Sequence, residues 1–201
     1  MKGGGRVSKR KTAAVIAGLT VLLIAAAILF LKSSKRYEAA SYPRTYAELV
    51  EPIAETYGVD PALVYAVIRT ESGFQPEAVS SIGARGLMQI TEPTFEWAQS
   101  KLGADFKDDT YDDLFDPKTN ITYGVYLLSA FLERFGTVNN ALCAYHAGWG
   151  VTRQWLEDSS CAPDGKNIVT TPYADTNWYL HTVCEAKDRY EELYFEKETK
   201  S

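Results

Sequence analysis

The chain has 201 residues, 46% of them apolar or aromatic, enough for one domain with a buried core, and its even composition excludes a low-complexity or collagen-like protein. Eight of its 21 basic residues and none of its 26 acidic ones precede Tyr37, so residues 37–201 carry 13 basic against 26 acidic side chains. A body this acidic is unsuited to nucleic acid, whose phosphates require a basic surface.

Residues 1–11 form a basic segment containing Lys2, Arg6, Lys9, Arg10 and Lys11, followed over 12–31 by an uncharged apolar run. That run has the roughly twenty residues a helix needs to cross a bilayer, and Lys32, Lys35 and Arg36 close it. The expectation is a single-pass transmembrane anchor in the cell membrane, with the denser basic cluster inside and the remainder of the chain outside the cytoplasm. A cleaved signal peptide is the rival reading, with Ala25-Ala26-Ala27 as a small-residue cleavage site, although Ile28-Leu29-Phe30-Leu31 extends the apolar run beyond it. Residues 32–44 read as a tether and 45–201 as the folded domain.

The domain reads as helical throughout. Helices are expected over about 46–57 and 61–72, the second with Asp60 as cap, Pro61 in the first turn and Gly73 as stop. Thr91 with Pro93 starts another that ends near Gly103, and Asp116-Pro117 repeats the start. The run after Pro117, through Ile121, Val125, Leu127, Leu128, Phe131, Leu132 and Phe135, spreads its apolar residues around the helix and predicts a central element covered on most sides. Short helices over 138–147 and 151–156 and a last one over about 176–197 complete the series. Cys143, Cys161 and Cys184 are an odd set. Cys143, in a small-residue helix, reads as a buried thiol, which leaves Cys161 with Cys184 as the expected pair. His146 and His181 are isolated and no metal site is expected.

Glu71 is the anomalous residue. Val64, Val67 and Ile68 precede it by seven, four and three positions, so the carboxylate shares a helical face with core residues. It also lies in the last turn, where the helix dipole disfavours an anion, and Val67 and Gln75 stand where a basic partner would sit four residues away. A carboxylic acid held protonated near neutral pH is a candidate general acid; a glutamate that simply turns to water at a helix end is the alternative on this helix alone.

The residues that follow carry more information. Glu71-Ser72-Gly73-Phe74-Gln75-Pro76-Glu77-Ala78-Val79-Ser80, continuing as Ser81-Ile82-Gly83-Ala84-Arg85-Gly86-Leu87-Met88-Gln89-Ile90, resembles the signature of the soluble lytic transglycosylase family. Ala144-Tyr145-His146-Ala147-Gly148 resembles that family's second motif, and Thr171-Pro172-Tyr173-Ala174-Asp175-Thr176 followed by Tyr179 its third. The resemblance runs from about Tyr46 to Tyr190. It implies an all-α, lysozyme-like fold and cleavage of the β-1,4 bond between N-acetylmuramic acid and N-acetylglucosamine in peptidoglycan, without cofactor. By the same resemblance Glu71 is the catalytic acid, and Ser80, Met88, Gln89, Tyr145, Asp175 and Tyr179 bind substrate.

Cleaving a glycosidic bond needs a proton for the leaving oxygen and compensation for positive charge at the anomeric carbon. Glu77, in a loop-like sequence, and Glu92, in a helix's first turn, are weak candidates for a second carboxylate. The resemblance implies that the substrate's own 2-acetamido group assists and that its 6-hydroxyl closes a 1,6-anhydro ring. Gly83 and Gly86 suit tight turns, Ser80 and Gln89 supply hydrogen bonds, and Met88 supplies an apolar wall. Two residues depart from the family pattern: His146 where asparagine is usual, which adds a titratable ring, and Asp175 where glutamate is usual, which shortens the reach. A hydrolytic muramidase of related fold and a non-catalytic glycan-binding scaffold are the competing readings. Protein partners are not indicated.

Overall fold

The computed structural model describes residues 9–195, in two compact units divided after Pro43. The first is one helix, α1 (Lys9–Ser41), which continues through most of the expected tether. Val21, Leu22, Leu23 and Ile24, which follow one another at about 100° steps around it, are all more than half exposed. Among the described residues no helix is long and apolar enough to cross a membrane. The run expected over 12–31 extends at both ends into positions whose side chains lie outside the described set, so the anchor is not a feature of the described fold.

The second unit is all-helical: α2 (Ala47–Tyr57), α3 (Pro61–Glu71), α4 (Glu92–Leu102), α5 (Pro117–Phe135), α6 (Val138–Ala147), α7 (Trp149–Glu157) and α8 (Ala174–Tyr190). Its described residues contain no strand, only isolated bridges joining Arg85 to Val79 and to Ile90. Two of the expected starts are set by local chemistry. Asp60 accepts a hydrogen bond from the Ala62 amide at 2.9 Å and Asp116 from the Thr119 amide at 2.8 Å, each just before a proline that needs no amide partner. Thr91 precedes α4 differently, bonding its hydroxyl to that of Thr94 at 2.9 Å.

Helix α5 is the central element, packed against α2, α4 and α6, while α3 packs along α8. Helix α3 is more deeply enclosed than a single apolar face predicts: every residue from Ala62 to Ile68 is buried. Glu71 lies where this helix leaves the core. Two asparagines, Asn120 and Asn140, are completely buried, which is tolerable because their amides are paired. Asn140 donates to the carbonyls of Phe135 and Lys166 and accepts from the Ile168 amide, fastening the connection after α7 to α6.

Two expectations are corrected here. Cys161 and Cys184 are free thiols, as is Cys143. Cys161 is buried in the connection after α7, and the Cys184 thiol donates to Asn139 Oδ1 at 3.4 Å. The last helix ends at Tyr190, earlier than expected, and passes into a wider turn over Glu191–Phe195. That turn brings Tyr190 and Phe195, five residues apart, onto the same Tyr65 ring, with centroids at 5.2 and 6.2 Å. The expected helical residues past Phe195 lie outside the described residues.

Candidate active site

The site is assembled where the end of α3, the loop 78–90, the end of α6 and the start of α8 meet. The loop has little secondary structure, so its shape depends on side chains that reach its backbone. Asn120 of α5 does most of this: its Oδ1 accepts from the Met88 amide at 2.8 Å, and its Nδ2 donates to the carbonyls of Arg85 at 3.0 Å and Leu114 at 2.8 Å. Gly86 allows that approach. It has φ +74°, and a Cβ there would sit 2.1 Å from Asn120 Nδ2 and 2.3 Å from the Leu114 carbonyl. The Ser72 hydroxyl donates to the Leu87 carbonyl at 2.8 Å, tying the loop to the residue beside Glu71.

Glu71 keeps some exposed surface, yet burial dominates its electrostatics. Its carboxyl is pushed up to about 7, chiefly by desolvation and against the opposing effect of the Tyr179 hydroxyl. That hydroxyl is buried and has no hydrogen-bond partner at ordinary bonding distance. It nevertheless lies near enough to Glu71 to interact with it, and burial holds the Tyr179 phenol well above its ordinary pKa. Tyr145 approaches as well. Its hydroxyl donates to the Met88 carbonyl at 2.8 Å, and burial followed by the nearby Glu71 raises its pKa strongly. Both phenols therefore stay neutral in the working range; the Tyr179 proton is uncommitted, whereas that of Tyr145 is given to the Met88 carbonyl.

Other expected site residues serve differently from the simple reading. Met88 does not offer its side chain as a cleft wall: that side chain is fully buried, packed so closely on α5 that a Cβ at Gly124 would meet its sulfur at 2.2 Å. What Met88 contributes is its peptide group, whose amide meets Asn120 and whose carbonyl meets Tyr145. Gln89 has φ 49°, and its Nε2 donates to the carbonyls of Ala78 and Gly86. Ser80 Oγ accepts from the Ala84 amide at 3.0 Å, closing the turn, which leaves its proton and one lone pair for a ligand. Asp175 is exposed at the start of α8, where it accepts from the Thr176 amide at 2.8 Å. It also faces His146. The imidazole stacks on Tyr179 with centroids 4.4 Å apart and planes within 18°. Burial lowers the His146 pKa, and Asp175 opposes that shift.

Beside these groups lies a cavity of about 520 Å³ lined by Gln89, Tyr145 and His146 on one side and by Trp97, Phe131 and Trp149 on the other. Glu71 does not itself line it; the connection runs through Tyr145, which is shared between the cavity wall and the surroundings of the acid. The aromatic side was not identified from sequence. Trp149, directly after the Gly148 that closes the second motif, was the available signal. Among the described residues no group of three or more His, Cys, Asp or Glu side chains could hold a metal ion.

A family model described as the transglycosylase SLT domain matches residues 48–168. Membrane-bound lytic murein transglycosylase C of Yersinia enterocolitica is 35% identical over 165 residues, covering 72% of this chain and 46% of that protein. Soluble lytic murein transglycosylase of Salmonella typhimurium is 30% identical over 162 residues, covering 78% of this chain and 24% of that one. The crystal structure of the 70 kDa soluble lytic transglycosylase of Escherichia coli is similar with a TM-score of 0.69 at 25% identity, over 80% of this chain and 26% of that one. An inactive mutant of lytic transglycosylase Slt from Pseudomonas aeruginosa gives 0.66 at 26% identity, over 78% and 25%. The chain thus spans from about a quarter to just under half the length of these relatives. With an acid raised toward neutrality at the end of α3 and an all-helical, lysozyme-like domain around it, the chain belongs to the transglycosylase SLT domain family.

Proposed function

We propose that this chain is a peptidoglycan lytic transglycosylase in which Glu71 is the single catalytic carboxyl. The observation that carries the reading is that Glu71 has a pKa of about 7 while Glu77 and Glu92 are exposed. Glu71 donates its proton to the glycosidic oxygen as the bond from the anomeric carbon of N-acetylmuramic acid breaks. The substrate's acetamido oxygen bonds to that carbon, spreading the positive charge. The 6-hydroxyl then attacks the same carbon, the acetamido bond opens, and Glu71 takes the hydroxyl proton. The neutral Tyr179 hydroxyl, whose proton is uncommitted, orients the carboxyl through both proton transfers, and Tyr145 fixes the loop carbonyl beside it.

An intramolecular hydroxyl has a large advantage over water once the acid and sugar are held together. Products should therefore end in 1,6-anhydro-N-acetylmuramic acid, lighter by one water than hydrolysis products and without a reducing end. Mass analysis of muropeptides released from purified peptidoglycan tests this. Reducing-end products would instead identify a muramidase, and no products from the folded protein a scaffold.

The domain is proposed to act outside the cytoplasm, held at the membrane by the apolar run over 12–31. Support comes from the exposed apolar side chains all around α1, which water would not favour, and from the relative named as membrane-bound. Protease added to wall-stripped cells should remove residues 45–201 and spare the N-terminus. Release of a mature protein beginning near Ile28 would contradict the anchor.

A further inference from the structure

The cavity beside Tyr145 does not end at its aromatic wall. Trp97, Phe131 and Trp149 also form one side of a second hollow of about 480 Å³, whose other walls carry Lys101, Glu133 and Arg134. The ring planes of Trp97 and Phe131 lie within 12° with centroids 6.2 Å apart, and Phe131 meets Tyr145 edge-on at 6.5 Å. A continuous aromatic ridge therefore links the residue beside the acid to the second hollow.

The cations there stand out by sharing one hollow in so acidic a body. Arg44, Arg85, Lys187 and Arg189 are all engaged in ion pairs. Lys101 and Arg134 form none among the described residues, a state they share with Lys107, Lys118, Arg153 and Lys166, but only these two wall a common hollow against an aromatic face. Lys101 is one helical turn beyond Trp97 on α4, and the Arg134 guanidinium lies 4.9 Å from the centroid of the Trp149 ring. A guanidinium resting on an indole is held in place with its edge still free to bind a carboxylate in a bidentate manner. Glu133 on the same wall disfavours a pure polyanion and suits a ligand that carries an amine beside its carboxylates.

We propose that this hollow binds the peptide stem attached to the glycan, with a stem carboxylate on Lys101 and Arg134 while the sugars occupy the neighbouring cavity. The proposal rests on the reading of the substrate as peptidoglycan, whose stems combine free carboxylates with amines. The volume lies within the range usual for small-ligand sites and accommodates a few residues. The aromatic ridge supplies the apolar floor along which the stem leaves the glycan.

The test uses the full chain carrying Glu71→Gln, in detergent, and measures affinity for three glycan preparations. These are stem-bearing strands, strands stripped of stems by an amidase, and stem-bearing strands whose carboxylates have been converted to amides. Stem-bearing strands should bind about tenfold more tightly than either of the others, as expected for charge-assisted hydrogen bonds in a partly screened site. Adding Lys101→Gln and Arg134→Gln should remove that difference. Equal affinity for all three preparations overturns the proposal, as does an advantage that survives both substitutions. The amidated strands probe the contact on an unaltered protein surface, so a folding defect in the double variant does not decide the matter. Anhydro-ended products released from stripped strands by the full chain with Glu71 intact test the activity separately: normal products with equal affinities overturn only the stem site, whereas no products with stem-dependent binding overturns only the activity.

Discussion

Replacing Glu71 by Gln should make the protein more stable while removing nearly all turnover. The Glu71 carboxyl has a pKa of about 7 in the folded protein against an unperturbed 4.5. Between those values the native state binds more protons than the unfolded chain, so stability falls as pH rises through this window and the loss is complete above it. At roughly 1.4 kcal/mol per pH unit the difference is about 3.5 kcal/mol, and residual contact with solvent at the cleft brings the expectation to about 2–3 kcal/mol. Glutamine keeps the shape without an ionisable proton and escapes that cost. Urea unfolding of the full chain and the variant, followed by tryptophan fluorescence from pH 4.5 to 8.5, would give nearly coincident curves at the acid end. By pH 8 the variant should be the more stable by the stated amount. A separation that does not change with pH, or a wild-type chain that is the more stable at pH 8, refutes the assignment of Glu71 as a carboxyl destabilised by burial.

The same pKa sets the activity profile: cleavage needs the protonated acid, so kcat/KM should fall about tenfold per pH unit above pH 7, and a flat profile to pH 9 would exclude Glu71 as the donor. Tyr145→Phe leaves the Met88 carbonyl without its buried partner and frees the loop beside the acid; it should cost about 1 kcal/mol in unfolding free energy and slow cleavage about tenfold. An unchanged rate would confine Tyr145 to a structural role. Gly86→Ala places a methyl group against Asn120 and the Leu114 carbonyl at a positive φ, so thermal unfolding should show a loss of about 3 kcal/mol or more. Gly83→Ala, also at positive φ but facing open space, should lose only about 1 kcal/mol.

Much of the helical frame is legible because its signals are short-range. An aspartate before a proline satisfies an amide two or three residues away, and no distant residue is needed to predict α3 or α5. Glu71 is legible for a related reason, since helical spacing alone sets an acid against core positions. The loop 78–90 is different. Whether Met88 shows its side chain or its peptide to the cleft is decided by Asn120, 32 residues away, and Tyr145, 57 residues away. Local pattern cannot order contacts at such separations, although the family resemblance brought the participating residues to attention. The aromatic ridge is illegible for the same reason: Trp97, Phe131 and Trp149 come from three helices that only tertiary packing brings together. The end of α8 depends on two rings meeting Tyr65 of α3, and the cysteine pairing on where the connection after α7 is fastened, both non-local matters.

Asn120 holds the loop at Arg85 and Met88 and Tyr111 holds its Gly83 carbonyl at 2.6 Å, so the backbone of the tip is fixed while the side chain at its apex points away from the acid. Ile82 is 79% exposed, and the space around Gly83 is open. The tip therefore offers an attachment point for a fluorophore, through a cysteine introduced at position 82, that could report arrival of a glycan strand along the loop without disturbing the acid. The contacts that make the interior of this loop intolerant of change are what make its tip available as a sensor.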